Sequence, residues 1–431
     1  MQINYLIHEL NGELVLERNT KMGKYENIVL NGIYLENTDI GTKIVYDYNA
    51  PLSIQKYIKS SDPLFVEVPG DIGDVPEEVL VIPFVGVMLT VSMLLDIGIE
   101  VSSLDRTFYD SISKLQAIYQ SMYPKAGLHL SVQVKSTRLC HYQSNGKKAL
   151  FFTGGVDATS ALIELSGENV ELLNIWGGDL RLTDSASHVE LEHYLSSIQA
   201  VTGLEYHFIK TNAREMFEEN ALGDVCLKLL GRSKNHGWWA SIAHILSMTT
   251  TVAPWAYKHK IGQHYIGSSY NPKETLTFDS NNKEFINSIR YSSAIFSIVD
   301  EQVGRNEKIG KIVQYKEKSE VPIQLKVCWQ RQAGVNCSNC EKCYRTIMSI
   351  IANHGDPNVF GFKVDSLVIQ KIKKFLSTNL VSTAFWKPIQ DMFLSDREYW
   401  ESNSQMNWIL TLKLNSAQIY FIKLKQKFMD R

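Results

Sequence analysis

The chain has 431 residues, 44% of them hydrophobic, which is enough for two or three domains and a large core. A formal net charge of -2 excludes a bulk electrostatic drive towards nucleic acid. Six cysteines in this length do not make a disulfide framework; four of them fall between Cys328 and Cys343, which points to a metal in a reducing, cytoplasmic compartment.

The start, MQINYLIHELNG, lacks the basic and apolar regions of a signal peptide. Residues 1 to about 65 are expected to be β-rich. Asn11-Gly12 and Asn31-Gly32 sit between alternating runs and predict hairpin turns, and Thr42 to Tyr48 alternates as a strand. Pro76 opens an uncharged stretch, Val79 to Leu95. It is short for a membrane span and has acidic residues at both ends and no basic flank, so a buried core helix is expected and no membrane. Ser103 to Met122 reads as an amphipathic helix ended by Pro124, and Leu128 to Lys135 as a half-buried strand.

From Lys147 the pattern changes to strand–helix alternation. Strands are expected at Ala149 to Phe152, Val170 to Trp176, Leu204 to Ile209, Gln263 to Gly267 and Ile286 to Tyr291. Helices are expected at Ala158 to Leu165, Ser185 to Val201, Gly237 to Val252 and around Ser293 to Val303. Such alternation implies an α/β fold, a doubly wound parallel five-stranded sheet with helices on both faces. Ligands bind such sheets at the carboxyl ends of the strands, which groups the 153–159 loop, Trp176-Gly177 and Gly267-Ser268-Ser269 around one crevice.

Thr153-Gly154-Gly155-Val156-Asp157 joins the first of these strands to its helix. Glycines let successive backbone N–H groups approach a polyanion, and the helix N-terminus adds partial positive charge, so this is a phosphate-binding unit. No lysine follows the glycines as a Walker loop requires, and the adjacent pair does not fit GxGxxG. Cys328, Cys337, Cys340 and Cys343 have the spacing C-x8-C-x2-C-x2-C. Four thiolates suit tetrahedral Zn2+ and leave no open position, so the expected role is structural. Ferredoxin runs space their cysteines differently and end in Cys-Pro, whereas Tyr344 follows Cys343. The tail beyond about 350 predicts helices near Val364 to Leu376, Thr383 to Phe393 and Ser416 to Phe428.

The loop resembles the PP-loop, SGGxDS followed by Ser or Thr, of the N-type ATP pyrophosphatases, which cleave ATP between the α and β phosphates. Thr153 keeps the first hydroxyl; Ala158 loses the second, leaving Thr159 to supply it. Together with the cysteine spacing, residues 147–350 resemble the 7-cyano-7-deazaguanine synthases (QueC). Weaker echoes are Tyr265-Ile266-Gly267, Arg290-Tyr291-Ser292 and the run NCSNCEKCYR from Asn336 to Arg345.

The resemblance implies a HUP/PP-loop sheet with a structural zinc site, and an enzyme of the ATP-dependent C–N ligase type. Such an enzyme adenylates the carboxylate of 7-carboxy-7-deazaguanine, releases pyrophosphate and passes the acyl group to an amine. By the same resemblance Gly154, Gly155 and Val156 would hold the β and γ phosphates with Thr153 and Thr159 assisting. Asp157 would orient Mg2+. Arg232, Lys234, Gly267 and Ser268 are further candidate ATP contacts. Trp176 and Trp238 are candidates for stacking on a base.

Residues 1–146 (an N-terminal α+β region) and 351–431 (a helical extension) exceed the housekeeping synthases. They are similar to the long forms in bacterial anti-phage operons, such as the QatC component of Qat systems and the QueC-like component of one CBASS type. The amine acceptor is then ammonia or the N-terminus of a partner protein from the same operon, with residues 1–146 as a docking domain. The alternatives are a tRNA-thiolating or other pyrophosphatase of this fold, disfavoured by the absence of a basic stripe, and a non-catalytic nucleotide-binding scaffold.

Overall fold

The computed structural model describes residues 5–10, 13–18, 26–60, 62–231, 237–269, 283–328, 330 and 334–417. Near the start, β1 (Tyr5–Leu10) and β2 (Glu13–Arg18) pair antiparallel with Leu10 opposite Glu13, the register a two-residue connection demands. β3 (Asn27–Asn37) runs straight through Asn31-Gly32, so the turn expected there is not a turn. The pair marks a bulge in the β3–β4 register between Leu30 and Gly32, and the chain reverses at Thr38–Gly41 into β4 (Gly41–Asn49). β5 (Leu64–Pro69) then pairs antiparallel with β4.

The apolar stretch forms α1 (Glu77–Leu80) and α2 (Ile82–Leu95). Among the described residues Glu77–Leu95 is the one helical run long and apolar enough to cross a membrane, and 89% of its apolar window is buried inside the chain. Pro76 stands before the first helical residue, where its missing N–H costs nothing. Gly86 lets a later helix approach, because a Cβ there would run into Thr250. β6 (Gly98–Asp105) leads into α3 (Arg106–Met122), and β7 (Val132–Arg138) starts four residues later than the alternation suggests. Buried Asp105 caps α3 by accepting from the Phe108 N–H at 2.9 Å. It also accepts from the backbones of Cys140 at 3.2 Å and Ser292 at 2.8 Å, tying three distant segments together.

The alternating region contains β8 (Lys148–Phe151), α4 (Val156–Glu164), β9 (Val170–Trp176), α5 (Ser185–Thr202), β10 (Tyr206–Thr211) and α6 (Glu219–Leu230). A π-helical turn at Trp239–Ala243 opens α7 (His244–Thr251), followed by α8 (Ala253–Lys258) and β11 (Gln263–Gly267). Two expectations fail next. Lys283–Ser288 is a helix, α9, leaving only Arg290–Tyr291 as a two-residue strand, β12. The strand that completes the parallel run is β13 (Ala294–Val299), where a helix is expected; its β-branched and aromatic residues lie against β11 with Phe296 opposite His264. The C-terminal part is helical: α10 (Arg305–Lys318), α11 (Glu341–Ala352), α12 (Ser366–Thr378), α13 (Thr383–Ser395), α14 (Arg397–Ser402) and α15 (Trp408–Thr411). The helix expected at Ser416 to Phe428 lies almost wholly outside the described residues.

The fold is α/β with a large, mostly parallel sheet, but the sheet has eleven strands, not five. Their order is β12-β13-β11-β8-β9-β10-β5-β4-β3-β6-β7. The five strands β13, β11, β8, β9 and β10 are parallel to one another. The direction reverses at β10–β5, and a second parallel stretch follows at β3-β6-β7. One apolar core runs from Ile28 to Phe296 and joins α1–α3 to the face of the parallel strands. A second core packs α10–α15 around the four cysteines and takes in Val156 of the glycine loop.

Candidate functional site

β8 ends in the loop at the middle of the parallel run. Gly154 has φ +72°, a left-handed conformation that side-chain-bearing residues rarely adopt, and a Cβ there would press on Lys326. Gly155 is extended and forms the N-cap of α4, leaving the first N–H groups of the helix unpaired within it. Thr153 Oγ1 accepts weakly from the Gly155 N–H at 3.4 Å. The carboxyl end of β11 closes the other side. Gly267 has no room for a Cβ because the Asp157 carbonyl occupies that space, and the Ser268 N–H donates to the Val299 carbonyl at 2.9 Å. The structure therefore brings the loop Thr153, Gly154, Gly155, Val156 and Asp157 beside Gly267 and Ser268. Ser269 is exposed beside them.

Thr159 is completely buried, and its hydroxyl has no hydrogen-bond partner among the described residues. Trp238 is core: it is fully buried and its indole N–H donates to the Thr90 carbonyl at 3.1 Å, so it is not available for stacking on a base. Trp176 is half-buried and stacked on His188 at 3.7 Å between ring centres, with Lys210 over the indole. Arg232 and Lys234 lie outside the described residues.

Four basic residues that the sequence reading does not single out stand around the loop. α10 packs against α4 and carries Arg305, Lys308 and Lys311 at helical spacing. Lys308 is 2% exposed; its Nζ lies 3.2 Å from Asp157 Oδ1 and also donates to the Ser268 carbonyl. Arg305 Nη1 lies 3.5 Å from Asp157 Oδ2. Lys311 binds Asp300 at 2.9 Å and Glu164 at 2.8 Å, and Asp300 in turn accepts from Ser160 on α4. The backbone N–H of Lys326 donates to the Gly154 carbonyl at 2.7 Å, fixing the loop against the segment that leads to Cys328. The i, i+3, i+6 basic stripe on α10 was the readable signal; the partners it would meet were not.

A second polar group lies at the end of β9. Asp179 Oδ2 is 3.4 Å from His244 Nε2, Oδ1 accepts from the Trp239 indole at 3.3 Å, and Arg214 lies 3.9 Å away. Burial would raise the Asp179 pKa, but His244, Trp239 and Arg214 together hold it well below the usual range. Asp179 and Thr153 line the same small cavity, with Asn174 and Met248.

The four cysteines form a metal centre in outline. Their sulfurs all lie within 4.8 Å of one another, with Cys328–Cys340 and Cys337–Cys343 each at 3.9 Å. A tetrahedron with Zn–S bonds of about 2.3 Å has edges of about 3.8 Å, so the set fits Zn2+ or a similar ion. Backbone N–H groups of Gln330 and Asn339 point at Cys328 and Cys337 sulfur at 3.2 and 3.4 Å, the outer hydrogen bonds that thiolate ligands use. No family model and no curated protein matches this chain.

Proposed function

We propose that this chain is a QueC-like, PP-loop ATP-dependent enzyme. It would adenylate a deazaguanine carboxylate of the 7-carboxy-7-deazaguanine type and transfer the acyl group to an amine. The supporting observation is the left-handed Gly154 turn at the carboxyl end of a central parallel strand, opening a helix whose second residue is Asp157, beside Gly267-Ser268. In this reading the five mutually parallel strands would be the nucleotide-binding part of the sheet, and the thiolate centre, tied to the loop through Lys326, would be a structural zinc site.

In this reading the substrate carboxylate attacks the α-phosphorus of ATP, the α–β bridging P–O bond breaks, and pyrophosphate departs towards the N–H groups of Gly154, Gly155 and Val156. Donors already aimed at the developing charge are the main source of rate enhancement. Asp157 would hold the Mg2+ that neutralises the leaving group. The acyl-adenylate then loses AMP to an amine, ammonia or a partner's N-terminus, and residues 1–146 would dock that partner in an anti-phage setting.

Exchange of labelled pyrophosphate into ATP tests the first half-reaction. Exchange that requires 7-carboxy-7-deazaguanine and is lost in Asp157→Ala supports the proposal. Tight ATP binding with no exchange under any candidate acid would refute it in favour of a nucleotide-binding scaffold. Intact-mass analysis of neighbouring operon products co-expressed with the chain tests the acceptor; unmodified partners would count against protein modification.

A further inference from the structure

Asp157, the carboxylate given to Mg2+ in the proposed reaction, already has two cationic neighbours. Lys308 lies 3.2 Å from one oxygen and Arg305 3.5 Å from the other. A dication placed on this carboxylate would sit within a few ångströms of an ammonium and a guanidinium, and the repulsion opposes its binding. Burying an ammonium as completely as Lys308 is costly unless an anion accompanies it, and Asp157 is that anion here. The Ser268 carbonyl holds the ammonium from a second direction, so its position is set by the backbone that follows β11. Cationic charge thus accumulates on the side of the loop where a polyphosphate would lie.

We propose that Arg305 and Lys308 are direct ligands for the leaving pyrophosphate, and that Asp157 occupies their site as a stand-in anion until the polyphosphate arrives. The divalent cation then joins Asp157 only together with the nucleotide. This rests on the phosphate-loop reading given above and adds to it two binding residues and an order of events.

The full-length protein, the metal ion Mn2+ and inorganic pyrophosphate suffice to test it. Mn2+ alone, followed by electron paramagnetic resonance, is expected to show no binding that depends on Asp157. Lys308→Met should create such binding, and adding Asp157→Asn should remove it again. In metal-free calorimetry, pyrophosphate should bind the wild type about tenfold or more tightly than Lys308→Met, since a charge-assisted contact is lost. It should bind Asp157→Asn more tightly than the wild type. Arg305→Gln, at a half-exposed position, should weaken pyrophosphate in the same direction and decides the matter if Lys308→Met fails to fold. Pyrophosphate binding unchanged in the folded Lys308 or Arg305 variant, or Asp157-dependent Mn2+ binding to the nucleotide-free wild type, would overturn the assignment while leaving the loop reading intact. A wild type that binds no pyrophosphate with or without Mg2+ would instead sink the loop reading itself.

Discussion

His264 offers a test in which the structure supplies the magnitude. It lies on β11, three residues before Gly267, fully buried, stacked on Phe296 at 4.8 Å and near Phe151. Burial lowers its pKa to about 3, the Ile295 backbone nearby offsetting this only in part. The unfolded chain takes up a proton near the ordinary value of about 6.5, whereas the folded chain does not until about pH 3. The associated stability is therefore complete above about pH 6.5 and is lost as pH falls from there towards 3. At about pH 5 the gap already amounts to roughly 1.5 pK units, or about 2 kcal/mol. His264→Leu keeps an apolar group of similar size but cannot take the proton. Urea denaturation followed by tryptophan fluorescence, at about pH 7.5 and about pH 5, should show the wild type losing about 2 kcal/mol more than the variant. Loss of metal from the thiolates and titration elsewhere affect both proteins and cancel in that difference. Equal losses in the two proteins would refute the assignment of a neutral, proton-excluding histidine to the middle of the sheet.

Gly267→Val should lower pyrophosphate–ATP exchange by about 100-fold, because its Cβ displaces the Asp157 carbonyl and with it the N-terminus of α4. Retained metal content, measured by elemental analysis, would show that the fold survives. Cys337→Ser, or strong chelation, should remove bound metal and weaken pyrophosphate binding in calorimetry, since the segment ending at Cys328 holds Gly154 through Lys326. Trp238→Phe should cost about 1–3 kcal/mol in denaturation by removing the indole hydrogen bond to the Thr90 carbonyl and leaving a void in the core, yet leave ATP affinity unchanged; a large loss of affinity would restore a stacking role to this indole.

The glycine loop and the four cysteines were legible because both are local: one needs successive residues with special backbone freedom, the other needs ligands a few positions apart. The hydrophobic alternation likewise located β8, β9 and β11. Period alone could not separate helix from strand between Ile286 and Val303, where short apolar runs fit either; pairing with β11 decided for Ala294–Val299. Asn31-Gly32 shows the same limit, since a turn-forming pair can equally make a bulge when strand continues on both sides. The cations at the loop were hidden for a different reason. Arg305 and Lys308 follow Asp157 by well over a hundred residues, and only packing of α10 on α4 brings them together. Asp179 and His244 stand in the same relation across β9 and α7.

The antiparallel join between β5 and β10 has a practical consequence for anyone dividing this molecule. Lys210 and Thr211 pair with Glu67 and Val66, while Thr211 Oγ1 donates to the Phe65 carbonyl and Asn212 bonds the Pro63 and Phe65 backbone. Cutting the chain ahead of Lys147 would strip that neighbour away and leave β10 with bare amide and carbonyl groups, an adhesive border that invites clumping. Fusion tags and truncations are better placed elsewhere, and the leading third is a sealed selvedge of the larger weave.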